Sequence, residues 1–142
     1  YFLFTVSAIV FKKIEHMKNS LIIDAANKIF FLTIIKDNKY YTSTFLNSKE
    51  NFDKFTLLIS NFLRKNKLDF NDIKNLYINQ GPGKFAGLKI SISVAKAISL
   101  SRKINLYGFK SEHVENGNYL KILELGEKNL LNKGLINPIY KG

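Results

Sequence analysis

The chain contains no cysteine, and only Arg64 and Arg102 are arginines among its 22 basic residues. The first absence excludes disulfides and thiolate metal sites and is compatible with a cytoplasmic protein. The second weighs against specific nucleic-acid recognition, because arginine is the side chain that grips phosphates and base edges bidentately. The formal charge of +11 is almost all lysine, spread among asparagines and isoleucines. That is a compositional bias rather than a built patch, and it leaves only loose electrostatic attraction to RNA. No segment repeats internally. No apolar run is long enough to span a bilayer, so no membrane partner is expected.

With 142 residues and 46% hydrophobic content, the chain has room for one folded unit with a real core. Its front, Tyr1 to Phe11, is nearly all apolar and is followed by Lys12 and Lys13. That pattern is too short for a transmembrane helix and lacks the basic leader of a signal peptide. Met17 is the expected native start, with residues 1–16 as upstream sequence; a truncated signal or anchor is the competing reading.

Regular patterns begin at Ser20. Leu21-Ile22-Ile23 is a short buried strand ending on Asp24, Ile29 to Ile35 is a second, and Tyr40 to Leu46 a third, with Asp37 and Asn38 suited to the hairpin between the last two. Ser48 precedes a helical pattern carrying Phe52, Phe55, Ile59, Phe62 and Leu63. After a polar turn at Asp69–Asp72, Leu76 to Ile78 forms a fourth strand. The segment Ile90 to Leu100 alternates like a strand, but its length and its Ala95-Lys96-Ala97 centre predict a helix. Ile104 to Phe109 is a fifth strand. A polar loop, Ser111 to Asn118, leads to a last helix over Tyr119–Asn132, with Gly134 as its stop signal.

The joint between the fourth strand and the following helix reads Gly81-Pro82-Gly83-Lys84-Phe85-Ala86-Gly87. Gly81 and Gly83 permit positive φ, Pro82 fixes its own φ, and Gly87 lets the helix start lie close to a neighbour. Free N–H groups at such a helix start can hold an anion, which makes Gly81, Gly83 and Gly87 a candidate anion-binding loop; a tight turn that merely joins two elements is the alternative. A Walker loop is excluded, because no Gly-Lys-Ser/Thr triplet follows at the required spacing.

Three antiparallel strands followed by helix, strand, helix and strand is the order of a ribonuclease-H-like fold, the N-lobe of actin-like ATPases. The expected class is therefore α/β: a mixed five-stranded sheet with flanking helices, plus a C-terminal helix. In that fold strand one ends on a carboxylate, here Asp24. A metal-dependent nuclease would need further carboxylates beside it, yet strand four ends on Asn79-Gln80. Asp24 is thus read as a strand-end residue. His113 lies in a polar loop without a serine or cysteine nucleophile motif. No catalytic residue, metal ligand or cofactor site is assigned.

The run Gly81 to Ile90 resembles the Gly-Pro-Gly-Ser-Phe-Thr-Gly-Leu-Arg segment of the bacterial tRNA threonylcarbamoyladenosine biosynthesis protein B family, formerly grouped with glycoproteases. The similarity extends from Leu21-Ile22-Ile23-Asp24 through Ala95-Lys96-Ala97 to Gly108, and Pro138-Ile139-Tyr140 is similar to the family's Pro-Val-Tyr ending. It implies an actin-like N-lobe over residues 17–110 and a remnant of the second lobe over 111–142, most of that lobe being missing between Ser111 and Tyr119. The family's Asp-Thr-Ser-Thr is Asp24-Ala25-Ala26-Asn27 here, and its His-Ser-Glu is Asn51-Phe52-Asp53. These changes remove hydroxyls and a histidine that a nucleotide or metal would use.

The resemblance implies a non-catalytic, cytoplasmic subunit that binds and activates a larger catalytic paralogue, with a small ATPase joining the pair and tRNA met indirectly. It also implies an interface on the two N-lobe helices, which agrees with the apolar pattern on more than one face of the second. The expected interface residues are Phe55, Ile59, Phe62, Leu88, Ile90, Val94 and Ile98. A ribonuclease-H-like nuclease and a homodimerising remnant without pathway function are the alternatives.

Overall fold

The structure, a computed structural model, describes residues 19–37 and 39–140, without the side chains of Glu115 and Asn116. The expectations for residues 1–16 and for a start at Met17 fall outside that range.

β1 (Ser20–Asp24) is buried at every position, so it reads as a continuous apolar run rather than an alternation. It lies at the centre of a five-stranded sheet of order β3-β2-β1-β4-β5. β2 (Ile29–Lys36) pairs with it antiparallel, placing Leu21 opposite Ile34 and Ile23 opposite Leu32. β3 (Lys39–Leu46) folds back on β2, with Lys36 opposite Lys39 and Asp37 at a φ of 53°. On the other side β4 (Asn75–Asn79) and β5 (Asn105–Phe109) run parallel to β1.

The helical stretch after β3 is divided in two. α1 (Lys49–Asp53) starts on Ser48, whose hydroxyl accepts from the Asn51 N–H at 3.2 Å. Lys54 leaves helical geometry, and α2 (Phe55–Lys65) follows. Its end is a Schellman turn: Lys67 takes a φ of 61° while the N–H groups of Lys67 and Leu68 donate to Arg64 and Leu63. α3 (Phe85–Arg102) is the predicted helix after the joint, longer by more than one turn at its start and by two residues at its end. α4 (Leu120–Glu127) is shorter than expected, because Asn129 turns left-handed at a φ of 57° and Leu130 N–H closes back on Leu125.

Side-chain alternation divides the core between the two faces of the sheet. Leu21, Ile23, Leu32, Ile34, Leu76 and Ile78 meet α2 and α3 on one face. Ile22, Ile35, Tyr77, Tyr107 and Phe109 meet Tyr119, Ile122, Leu123 and Leu131 on the other. The residues expected as a remnant of a second lobe therefore cover the second face of this sheet. Asn132 also bridges to Gly108 on the outer side of β5, through bonds of 2.7 and 3.2 Å.

Candidate functional site

Asp24 and Asn79 stand at the C-terminal ends of neighbouring parallel strands, where open α/β sheets place their ligands. The alternation that turns Ile22 and Tyr77 toward α4 turns these two polar side chains the same way. Both are buried, yet both are fully engaged. Asn79 Nδ2 donates to Asp24 Oδ1 at 2.8 Å, and Tyr119 Oη donates to Asp24 Oδ2 at 2.8 Å. Asn79 Oδ1 accepts the Gly81 N–H at 2.8 Å, and its amide lies 3.2 Å from Ser111 Oγ, which in turn donates to the Pro82 carbonyl at 3.1 Å. One network thus ties β1, β4, the joint and the C-terminal segment together.

Burial pushes the Tyr119 phenol well above its usual 10.0, and the charge of Asp24 and the hydrogen bond to it add to the effect. Tyr119 is therefore a donor locked in its protonated form. The network borders a cleft of about 350 Å³, whose walls include Phe31, Tyr40, Thr42 and Ser111.

The chemistry open to this arrangement is limited. Each Asp24 oxygen accepts from one neutral donor, an amide and a phenol, so the carboxylate is held in place by hydrogen bonds rather than by a cationic side chain. Among the described residues no group of three or more His, Cys, Asp or Glu side chains could hold a metal ion. The His113 ring accepts from the Lys110 N–H at 3.0 Å, whereas Ser111 is bonded to Asn79 and Pro82.

The joint is built for close approach. Gly81 has a φ of 107°, and a Cβ there would strike the Ile139 carbonyl. At Gly83 a Cβ would lie 2.6 Å from the Ala26 Cβ; at Gly87 it would strike the Ala25 carbonyl. Lys84 N–H donates to Ala26 O at 3.0 Å, and Ile139 N–H to Gln80 O at 2.7 Å. Gly83 and Gly87 let the joint and the start of α3 press against the turn after β1, and Gly81 lets Ile139 lie against the joint. As an anion loop the joint has already lost the Gly81 N–H to Asn79.

The expected interface set needs correction. Phe55, Ile59, Phe62, Leu88 and Ile98 are each no more than 8% exposed and lie in the core against the sheet. Ile90 and Val94 are half-buried at its margin. The helices pack on the sheet and on each other, so the buried arc of α3 is wide and takes in side chains that periodicity assigned to a second, open face. The exposed positions of α3 are Phe85, Ala86, Lys89, Ser93, Lys96, Ala97, Leu100, Ser101 and Arg102; along one side Ala86, Ser93, Ala97 and Ser101 join the half-buried Ile90 and Val94 in an uncharged stripe, with Lys89 and Lys96 beside it. Tyr119 and Ser111 were missed as partners of Asp24 and Asn79; a tyrosine 95 residues away in sequence leaves no local signal.

The mixed sheet with crossover helices on one face is a ribonuclease-H-like fold. The family described as "TsaD: tRNA N6-adenosine threonylcarbamoyltransferase" matches residues 46–116, half of the chain. The chain belongs to that family, and within it is TsaB-like. It is 31% identical over 91 residues to the tRNA threonylcarbamoyladenosine biosynthesis protein TsaB of Buchnera aphidicola subsp. Schizaphis graminum, covering 64% of this chain and 43% of the relative. It is 30% identical over 88 residues to the TsaB of Buchnera aphidicola subsp. Baizongia pistaciae, covering 59% of this chain and 38% of the relative. The chain thus spans less than half the length of these relatives. Among solved structures, YeaZ from Pseudomonas aeruginosa superposes with a TM-score of 0.65 at 12% identity, over 73% of this chain and 49% of that one, a likeness of fold.

Proposed function

We propose that this chain is a binding subunit in the synthesis of tRNA threonylcarbamoyladenosine, without catalysis of its own, and that it docks a larger catalytic paralogue of the TsaD type. A small ATPase would join that pair, and tRNA would be met through the complex. Supporting the pathway is the similarity to two TsaB proteins. Supporting the binding role is the outer stripe of α3, where Ala86, Ile90, Ser93, Val94, Ala97 and Ser101 present no charge on a chain of net charge +11. Leu100, at 85% exposed, extends apolar surface beside it.

The neighbours of Asp24 argue against the nuclease reading, since a two-metal site needs further carboxylates and Asp24 has an asparagine and a tyrosine beside it. Co-expression with a TsaD-type paralogue tests the proposal: the pair should co-purify, and Ala97→Glu, at an exposed position, should disrupt it without unfolding the chain. Failure of the native chain to co-purify overturns it.

A further inference from the structure

Among the described residues the sheet ends on β3, which has β2 on one side and no strand on the other. Natural edge strands are usually guarded by lysine, proline or a bulge. From Tyr40 to Leu46 this one has neither lysine nor proline, and its register with β2 runs unbroken. Its side chains are open, with Tyr40 58% and Leu46 68% exposed. The direction of its backbone groups follows from one bond: Asn47 N–H donates to Lys28 O at 2.8 Å. By alternation, Phe45, Ser43 and Tyr41 also turn their N–H and C=O toward β2, while Leu46, Thr44, Thr42 and Tyr40 turn theirs outward.

The outward-facing stretch reads Tyr-Tyr-Thr-Ser-Thr-Phe-Leu, nearly the same in both directions about Ser43. We propose that β3 pairs antiparallel with β3 of a second copy about a twofold axis through Ser43, joining the two sheets into one. In that register the outward groups of Thr42 meet those of Thr44, and Tyr40 meets Leu46, whose carbonyl accepts the Asn51 amide at 2.8 Å and keeps a second lone pair for the Tyr40 N–H. Tyr41 falls opposite Phe45, an aromatic cross-strand pair, and Ser43 falls opposite itself. A slip of one residue sets outward groups against inward ones. A slip of two puts a threonine against Tyr40 or Leu46 and loses the matched pairs.

Charge agrees with this register. The net charge of +11 would drive copies apart, yet they meet along a stretch with no charge. At each end Lys39 comes opposite Asn47 of the other copy, with that copy's Glu50 in the first turn of α1 just beyond. The paired surface is small, so the dimer belongs to the weak, concentration-dependent class. It uses a different surface from the α3 stripe and does not depend on the proposed function.

Because the chain has no cysteine, Ser43→Cys in the full chain introduces a single reporter. In a non-hydrogen-bonded antiparallel pair the Cα atoms are about 4.5 Å apart, inside the range a disulfide accepts. Thr44→Cys is the control, since it faces Thr42 and lies diagonal to its own mate at about 7–8 Å. With diamide as oxidant, Ser43→Cys should form a covalent dimer at least about ten times faster than Thr44→Cys. The unmodified chain should show a concentration-dependent dimer in sedimentation. Thr44→Pro, which removes an outward N–H and no bond to β2, should be folded by circular dichroism and monomeric. A chain that stays monomeric at high concentration, or equal crosslinking of the two cysteine variants, overturns the proposal.

Discussion

Tyr119 donates its phenolic hydrogen to Asp24 across 95 residues of chain, fastening the C-terminal segment to the end of the central strand. The same carboxylate takes the Asn79 amide, so the position where the fold can carry chemistry here carries a clasp.

Removing one side of the clasp costs stability. Tyr119→Phe should lower unfolding free energy by about 2 kcal/mol, as expected for a buried bond to a charged group, and Asp24→Ala by about 2–4 kcal/mol, because it strands two buried donors. Urea denaturation measures both. Asp24→Asn keeps the shape, so it should cost stability while complementation in cells persists; lost complementation with an unchanged fold would assign Asp24 a chemical role.

The pH dependence follows from the tyrosines. Burial raises the phenols of Tyr119 and Tyr77 well above 10.0 in the folded chain, helped at Tyr119 by Asp24 and at Tyr77 by Tyr107 and Glu127. Below the unfolded value of about 10 both states hold these protons, and stability does not depend on them. Above it the unfolded chain releases protons that the folded chain keeps, so stability falls. Tyr119→Phe should flatten the alkaline limb of a stability-against-pH curve, leaving the neutral region parallel to the native one.

The joint makes a sharper steric prediction. Gly83→Ala and Gly87→Ala drive a methyl group into Ala26 and into the Ala25 carbonyl, and each should destabilise by about 1–3 kcal/mol. Gly134→Ala meets nothing within 4 Å and should be neutral or slightly stabilising. Thermal unfolding of the three variants side by side checks the ranking.

Neighbouring positions on α3 should behave oppositely. Ile98 packs in the core, so Ile98→Glu buries an unpaired charge and should cost more than about 4 kcal/mol or prevent folding. Ala97 is exposed, and Ala97→Glu should change stability by less than about 0.5 kcal/mol.

Much of this was legible in the residues. The all-apolar Leu21-Ile22-Ile23 marked a strand covered on both faces, and the Gly-Pro-Gly joint marked the passage from β4 into α3. Alternation alone puts Asp24 and Asn79 on one face. What it cannot give is the identity of a neighbour. The apolar spacing along α3 was read as a second, open face, although Leu88 and Ile98 serve one core. The clasp was equally hidden, because Tyr119 sits beyond a polar loop and its hydroxyl carries no periodicity. The break at Lys54 was missed for a local reason: Phe52 and Phe55 keep helical spacing across it and meet the same Phe30 ring, Phe52 stacked and Phe55 edge-on.

The central claim is that the outer stripe of α3 is a docking surface for a larger paralogue. Calorimetric titration of the purified chain with a TsaD-type paralogue, repeated with Ala97→Glu, tests it directly. Binding should be saturable and one-to-one, and Ala97→Glu should weaken it by about a hundredfold, as a charge costing about 2.7 kcal/mol at an apolar interface would, with unchanged thermal unfolding of the variant. Absence of binding by the native chain, or equal affinity of the variant, would contradict it.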